Sequence, residues 1–196
     1  AAMLAPVSSV QAQDNWPHWR GPDRNGASTA TNLPAAWSLT ENIVWKTELP
    51  SWSASTPVIW EDRIFVTSPT PAASEGEKEP GGKDLLLLCI SKQNGRELWR
   101  HKLHGGNRLY RKQNNASPSP VTDGKHVWVV TGTGQVTALD MDGKVLWKRN
   151  LQKDYGDFGL NFGYASSPLL YNGKLILEVL HGFRTDDPSY IVAFDT

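Results

Sequence analysis

The chain lacks several features by which large classes of proteins are known. Its 196 residues contain one cysteine, Cys89, so no disulfide can form within the chain, and its apolar neighbours predict a buried, unreactive thiol. Lys and Arg together number 20, as do Asp and Glu, and a formal charge of zero is not typical of a nucleic-acid-binding protein. The longest apolar run, residues 85–90, is far shorter than the ~20 residues of a transmembrane helix. We therefore expect no nucleic-acid partner and no transmembrane segment.

The motifs that mark catalytic and metal sites are also missing. The sequence has no Cys-x-x-Cys-His for haem attachment and no Gly-x-Ser-x-Gly for a nucleophilic serine. His101 and His104 are three residues apart, a spacing that directs the two rings to opposite faces of a strand and makes a poor metal pair. The sequence thus predicts no metal site and assigns no catalytic residue.

Tryptophan, by contrast, is abundant, with nine in the chain, and such a composition excludes a disordered protein. Three of them begin the same pattern, Trp-[Lys/Arg]-x-x-Leu, with spacings of 54 and 48 residues: Trp45, Trp99 and Trp147. A second element, rich in serine and ending in proline, recurs at residues 53–57, 116–120 and 165–168. Recurrence at intervals of about 50 residues predicts an array of one supersecondary unit.

Each repeat is predicted to form four short antiparallel strands. Apolar runs at 63–67, 126–131 and 174–180 provide the second strands, and their apolar character suits strands that are buried on both faces. Asn-Gly and Asp-Gly pairs, which favour tight hairpins, separate the strands. Four strands per repeat of this length predict an all-β fold, a β-propeller of four-stranded antiparallel blades. A β-sandwich is the alternative, but it does not need the same tryptophan motif in every unit.

The strand that carries the repeated tryptophan has two different faces. Because side chains alternate along a strand, Trp99 lies on the same face as Leu103. Arg100 and Lys102 lie on the opposite face. We expect the tryptophan face to contact a neighbouring blade, and the basic face to protect the outer edge of the sheet from the addition of another strand.

The segment Ala138-Leu-Asp-Met-Asp-Gly-Lys-Val-Leu-Trp147 resembles the PQQ-like repeat of quinoprotein-type β-propellers, whose pattern is roughly Ala-x-Asp-x-x-Thr-Gly-x-x-x-Trp. The serine-proline elements are similar to the first strand of that repeat. The resemblance covers about residues 42–196, and the upstream segment 16–26 resembles leaders of exported bacterial members. Cys89-Ile-Ser departs from Ala-x-Asp in the first unit. The resemblance implies seven or eight blades in the full protein, with about three of them present here.

These patterns divide the chain into three parts. Residues 1–13, uncharged and ending in a small-x-small sequence, are interpreted as the remnant of a secretory signal peptide. Residues 14–41 form an N-terminal leader, in which Trp16 and Trp19 are expected to lie against the propeller rim. Residues 42–196 form a partial propeller, so the chain is expected to be an N-terminal fragment of a periplasmic or secreted protein of the cell envelope. Its parts are a closing strand at 42–49, blades at 54–103 and 116–151, and an incomplete blade at 165–196.

Long connections are predicted to share one end of the blades. In a meander, the connection between strands two and three and the connection between blades emerge on the same side, and here these are long. Polar and aromatic residues of these connections are the candidates for a binding face: Arg108, Tyr110, Arg111, Lys112, Tyr155, Asp157, Phe158, His181 and Arg184. Their mixture of charges suits a polar ligand or a protein partner.

Two functions follow from the resemblance. The first is an exported binding or scaffold module that engages a protein or a polysaccharide through its long-loop face, without an established cofactor. The alternative is a quinoprotein dehydrogenase that oxidises an alcohol or a sugar with pyrroloquinoline quinone and Ca²⁺. Enzymes of that kind carry two adjacent cysteines, which this sequence lacks. Since a repeat that packs blades together does not imply the cofactor in its name, the first function is favoured.

Overall fold

A computed structural model describes residues 15–31, 33–72 and 81–196. The interpreted signal remnant, residues 1–13, lies outside the described residues. The described part forms a series of antiparallel sheets that follow one another along the chain. No helix in the described part is both long enough and apolar enough to cross a bilayer.

The first sheet contains four strands in the order in which the chain forms them. They are β1 (Val58–Trp60), β2 (Arg63–Pro69), β3 (Asp84–Ser91) and β4 (Glu97–Gly105). The register places Phe65 opposite Cys89, and both are fully buried. Burial raises the pKa of the Cys89 thiol to about 12, which keeps it protonated and unreactive at neutral pH.

The second sheet repeats this arrangement after a small ribbon. The ribbon consists of β5 (Leu109–Tyr110) and β6 (Gln113–Asn114). The sheet itself consists of β7 (Val121–Thr122), β8 (His126–Val130), β9 (Gln135–Asp140) and β10 (Val145–Asn150). Strands β7 to β10 are antiparallel neighbours in sequence order, so the predicted blade design of four antiparallel strands is confirmed.

The third sheet has three strands and is preceded by a single helical turn. The helix α1 (Leu151–Tyr155) is followed by β11 (Leu169–Tyr171), β12 (Lys174–Val179) and β13 (Tyr190–Asp195). Residues 42–49, for which a closing strand was predicted, belong to no sheet in the described structure. A strand requires a hydrogen-bonding neighbour, so the pairing of this segment with a blade outside the described sheets stays a prediction.

The core consists of apolar layers between successive sheets. Strand β8 contributes to both sides, because Val127 and Val129 face the first sheet whereas Trp128 and Val130 face the third. All four side chains are buried. The apolar second strand predicted from the sequence is therefore explained by burial on both of its faces.

Trp45 and Trp99 each lie against the sheet that follows them in the chain. The indole N–H of Trp45 donates to the carbonyl of Lys92 at 2.8 Å, and that of Trp99 donates to the carbonyl of Met141 at 3.1 Å. Each ring lies against a glycine of the following turn, where a Cβ atom on Gly95 or Gly143 would lie 2.5 or 2.9 Å from the indole. Both glycines have positive φ angles, which the turn requires and other residues rarely adopt. Repeated tryptophans and repeated glycines thus form one joint between blades.

The first strands of the blades approach one another at the inner edge. The amide of Thr56 donates to the Ser119 hydroxyl, and the amide of Ser119 donates to the Ser167 hydroxyl, each at 2.9 Å. These three residues all precede the prolines of the serine-rich elements. The recurring serine is therefore a structural residue that fixes the register of one blade against the next.

The leader crosses this inner edge, which corrects the expectation that it lies against the rim. Trp16 exchanges two backbone hydrogen bonds of 2.8 Å with Ile59 of β1, and the carbonyl of Pro17 accepts from the amide of Thr122 in β7. Further along, the Arg24 guanidinium donates to the carbonyl of Leu170 in β11 at 2.9 Å. The leader reaches the first strand of each sheet because these strands leave backbone groups free at their inner edges.

Candidate functional site

Long connections gather at one end of the sheets, where the sequence places the candidate residues. They span residues 70–83, 106–120, 151–168 and 180–189, whereas the turns at the opposite end have two to five residues. The short turn between β8 and β9, residues 131–134, lies at the same end and contacts β4 and the connection 106–120. His104 lies 3.2 Å from Thr133, and the amide of Gly132 donates to the carbonyl of Asn115. We call this end, formed by the four connections, the long-loop face.

The β5–β6 ribbon presents four of the candidate residues. Arg111 and Lys112 form its two-residue tip and are exposed, and the Arg108 guanidinium lies 5.1 Å from the Tyr110 ring centroid, within the range of a cation–π contact. The Tyr110 ring lies against Gly163 of the next loop, where a Cβ atom would be 2.4 Å away. The ribbon is thus a fixed platform for two exposed cations.

The base of the ribbon is anchored by Asn114, which is buried. Its side-chain amide donates to the carbonyl of Trp52 at 2.9 Å, and its side-chain oxygen accepts from the amide of Ala116 at 3.1 Å. The ribbon position is therefore set by contacts to the first blade and to the chain that follows.

The connection 151–168 uses its candidate aromatic residues for packing. Asn150 caps α1 by accepting from the amides of Gln152 and Lys153, which converts the start of the predicted loop into a helical turn. Phe158 is stacked on Tyr164 with ring centroids 4.6 Å apart. Burial raises the pKa of the Tyr164 hydroxyl, which donates to the carbonyl of Glu178. Phe158 therefore holds the loop in place.

Tyr155 and His181 also serve the loop structure. The His181 ring is 1% exposed, and its two nitrogens lie 2.9 Å from the carbonyl oxygens of Tyr155 and Pro188. Tyr190 packs edge-on against both rings and donates its hydroxyl to the Tyr155 carbonyl. The structure thus places His181 between two loops, where it cannot touch a partner unless those loops separate.

The remaining candidates, Asp157 and Arg184, are exposed on the long-loop face. Two aromatic residues that were not among the predicted candidates are exposed there as well. Phe162 is 63% exposed and Phe183 is 86% exposed. Each is flanked by a glycine, in Phe162-Gly163 and Gly182-Phe183, and this pattern of an aromatic residue beside glycine in a loop was the available signal. Exposed aromatic rings beside arginines have the composition of a protein interface.

A second concave region lies beside the inner edge of the blades. This cavity of about 620 Å³ is lined by Trp19 of the leader, by Ser117, Ser119 and Ser167, and by residues of all three strands of the third sheet. Its serine hydroxyls already serve protein groups, since those of Ser119 and Ser167 accept from backbone amides and that of Ser117 bonds with Asn114. The cavity therefore presents few free polar groups with which to orient a ligand, and the long-loop face is the stronger candidate.

The described residues contain no group of three or more His, Cys, Asp and Glu side chains arranged to hold a metal ion. His101 and His104 follow the expected alternation along β4, with His101 half-buried and His104 exposed. Burial, together with the charge of Lys148, lowers the pKa of His101. Both causes disfavour the charged form of this half-buried ring, which suits a packing residue better than a metal ligand.

Comparison with known proteins identifies a family whose model matches more than half of the chain. A family model described as outer membrane protein assembly factor BamB matches residues 82–195. The chain is 23% identical over 154 residues to the outer membrane protein assembly factor BamB of Escherichia coli (strain K12), and the match covers 76% of the chain. The corresponding protein of Shigella dysenteriae serotype 1 (strain Sd197) matches equally. The chain spans about a third of the length of these relatives, 34% in both.

Solved structures show the same fold at lower identity. A quinohemoprotein alcohol dehydrogenase from Comamonas testosteroni matches with a TM-score of 0.61 at 17% identity, over 94% of this chain and 26% of that one. The quinohemoprotein alcohol dehydrogenase ADHIIG from Pseudomonas putida HK5 matches with a TM-score of 0.57 at 16% identity, over 93% of this chain and 25% of that one. This likeness is one of fold, the β-propeller, and carries no cofactor to this chain.

Proposed function

Since the chain belongs to the family of the outer membrane protein assembly factor BamB, a family of PQQ-like repeat β-propellers, we propose that it is part of a binding module of the bacterial cell envelope. The module engages a protein partner through the long-loop face. The blades act as a rigid scaffold, and no chemical step is assigned to them. The match of residues 82–195 to the family model supports this proposal, because it includes three of the four connections of that face in full.

The observation that carries the proposal is the exposure of aromatic and basic side chains on loops that are themselves fixed. Phe162 and Phe183 are exposed, whereas Phe158, Tyr155 and His181 behind them are engaged in loop-to-loop contacts. A surface that is already ordered loses little conformational entropy when a partner binds. Exposed side chains on ordered loops therefore favour the recognition of a specific partner.

The wider setting of the module is proposed from its relatives. The name of those relatives places them in the assembly of outer membrane proteins, and we propose a place in the envelope for this chain as well. The division of the chain into a signal remnant at 1–13, a leader at 14–41 and a propeller at 42–196 belongs to the same proposal. Fractionation of cells that express the full-length protein should recover it with the envelope, and recovery in the cytosol would contradict the localisation.

Site-specific photo-crosslinking tests the binding face. A photoreactive phenylalanine analogue replaces Phe162 or Phe183 in the full-length protein, expressed in its own cells. The matched control is Tyr171, an aromatic residue exposed to 51% at the short-turn end of the third sheet. We expect discrete protein adducts from Phe162 and Phe183 and none from Tyr171. Equal adducts from both ends, or none from the long-loop face, would contradict the proposal. Adducts that contain polysaccharide would assign the partner to the other class.

A further inference from the structure

Among the described residues of the long-loop face, positive charge is concentrated on one part. Lys83, Arg108, Arg111 and Lys112 are all exposed, and they belong to the connections 70–83 and 106–120. The two connections are joined, since the amide of Asn107 donates to the carbonyl of Lys83 at 2.9 Å and its side chain donates to the carbonyl of Gly82. The ion pairs that the described residues form involve none of these four cations.

An exposed aromatic residue borders these cations. Gln113 of the ribbon donates its side-chain amide to the carbonyl of Phe162 at 2.5 Å and to that of Gly163 at 3.2 Å. A depression of about 310 Å³ lies between the ribbon and the Phe162 loop, lined by Arg111, Lys112, Gln113 and Phe162. That volume suits one or two side chains of a partner. Its walls are two cations and one phenyl ring, held together by the hydrogen bonds of Gln113.

The chemistry of this depression selects its occupant. A carboxylate can meet the Arg111 guanidinium in a bidentate manner and Lys112 as a point charge. The Phe162 ring offers apolar surface for a side chain that lies between such carboxylates. Because the ribbon is anchored at Asn114 and supported at Tyr110, the two cations are presented together without ordering a flexible loop.

We propose that Arg111, Lys112 and Phe162 form the recognition site for an acidic segment of a protein partner, in which Asp or Glu side chains flank an apolar residue. This inference rests on the proposed function and names the chemistry of the partner. Lys83 and Arg108 extend the positive surface and accelerate the encounter. Among the described residues of the long-loop face, the acidic ones lie on its other two connections, at Asp154, Asp157, Asp186 and Asp187. The sequence also places Glu75, Glu77 and Glu79 in the connection 70–83, outside the described residues.

A peptide-binding assay with the full-length protein tests the site. The probe is a fluorescein-labelled peptide, Gly-Asp-Glu-Phe-Glu-Asp-Gly, and its anisotropy is followed as protein is added. Two further peptides replace the acidic residues by their amides or the phenylalanine by alanine. We expect the first peptide to bind, the amide peptide to lose binding, and the affinity to fall as salt is raised. No binding of the acidic peptide at low salt would overturn the inference.

Two pairs of substitutions separate the site from the overall charge. R111Q/K112Q removes both tip cations, and K125Q/K144Q removes two exposed lysines from turns at the opposite end. We expect R111Q/K112Q to weaken binding by roughly tenfold or more and K125Q/K144Q by about twofold at most, as rim and distant charges do. Equal losses for the two pairs would show that net charge, and no particular site, attracts the peptide. Unchanged melting curves confirm that both pairs are folded.

The phenylalanine contact has a test of its own. F162S should weaken binding of the phenylalanine peptide by roughly fivefold and leave the alanine peptide unchanged, as a specific side-chain pair requires. Equal effects on the two peptides would contradict the assigned contact. Vesicles of phosphatidylglycerol and phosphatidylcholine form the membrane arm, and vesicle binding without peptide binding would assign the cations to lipid. In a further variant, R111Q/K112Q is combined with the photoreactive analogue at Phe183. If that variant still forms protein adducts and still binds the acidic peptide with unchanged affinity, the proposed function stands and this inference fails.

Discussion

The two ends of the blades are stabilised by different means. At the short-turn end, tryptophan rings lie on glycines of the next blade, and the leader adds backbone hydrogen bonds across the first strands. At the long-loop face, side-chain amides and an imidazole bond to carbonyl groups of neighbouring loops, and aromatic rings remain exposed. Close apolar contact contributes most to the stability of the fold, whereas exposed polar contacts contribute less. We infer that the short-turn end stabilises the array and that the long-loop face is free to vary in composition.

The largest effect is expected where a tryptophan meets a turn glycine. Gly124 and Gly173 occupy the same turn in successive sheets and both have positive φ angles, but a Cβ atom on Gly124 would lie 2.1 Å from the Trp60 indole. A Cβ atom on Gly173 would lie 4.0 Å from the Thr196 hydroxyl oxygen. G124A should therefore lower the free energy of unfolding by about 3 kcal/mol, and G173A by about 1 kcal/mol from backbone strain alone. Chemical denaturation of the full-length variants measures both losses. Equal losses would contradict a contribution from the contact between Gly124 and the Trp60 indole.

Acid should weaken the leader. Burial and, to a smaller extent, the Arg24 guanidinium lower the pKa of His18 from 6.5 to about 4. The unfolded chain then takes up a proton at a higher pH than the folded chain does, so this contribution to stability is complete above pH 6.5 and is lost as the pH falls from 6.5 to about 4. The loss amounts to roughly 3 kcal/mol at most. In H18L, the melting temperature should change less with pH across this range than in the unsubstituted protein. An unchanged pH dependence would contradict the burial of a neutral ring.

Substitution of Arg24, an exposed residue, tests whether the leader is attached to the third sheet. Its guanidinium donates to the carbonyl of Leu170 and lies 5.2 Å from the Tyr171 ring centroid. R24Q should lower the free energy of unfolding by about 1 kcal/mol through the loss of these two contacts. R20Q is the matched control, because Arg20 is exposed and bonds within its own segment, to the carbonyl of Asn25. A loss of equal size in both variants would show that the leader does not tie the blades.

The smallest global effect is expected at the long-loop face. Q113A removes the two hydrogen bonds to the carbonyl groups of Phe162 and Gly163. These contacts are partly exposed, so the free energy of unfolding should change by less than about 1 kcal/mol. Hydrogen exchange of the amides at 159–163 should nevertheless accelerate, since local opening needs less free energy than global unfolding. Global destabilisation without faster local exchange would show that the long-loop face, too, stabilises the whole array.

The sequence predicted those parts of the fold that depend on short-range patterns. Asn-Gly and Asp-Gly turns, the apolar run of β8 and the recurring Trp99 motif are each encoded within a few residues, and the blades formed as expected. Residues 42–49 carry the same local motif and belong to no sheet in the described structure, and their role as a closing strand stays a prediction, because pairing depends on a distant partner strand. The course of the leader was mispredicted, since its contacts at Ile59 and Leu170 are long-range.

The exposure of the candidate residues could be predicted for the loop region and less well residue by residue, and their role in binding stays a prediction. Loop length located the long-loop face, and Arg108, Arg111, Lys112 and Arg184 are exposed there. His181 and Phe158 have the same composition signal, yet they are engaged by neighbouring loops. Whether an aromatic or imidazole side chain in a loop faces solvent is decided by the loop beside it, and a single sequence does not state which loops are neighbours.

The joint between Trp99 and Gly143 has a consequence for assembly. It is heterologous: one side of a repeat supplies the indole, and the other side of the next repeat supplies the glycine turn that receives it. Each repeat therefore carries both halves of the joint, and the same contact can serve every pair of successive repeats. Such head-to-tail contacts close into a ring when the rotation per repeat divides a full turn, and otherwise they continue as a filament. In a propeller, the angle set by tryptophan and glycine at each joint thus sets the number of blades that completes the ring.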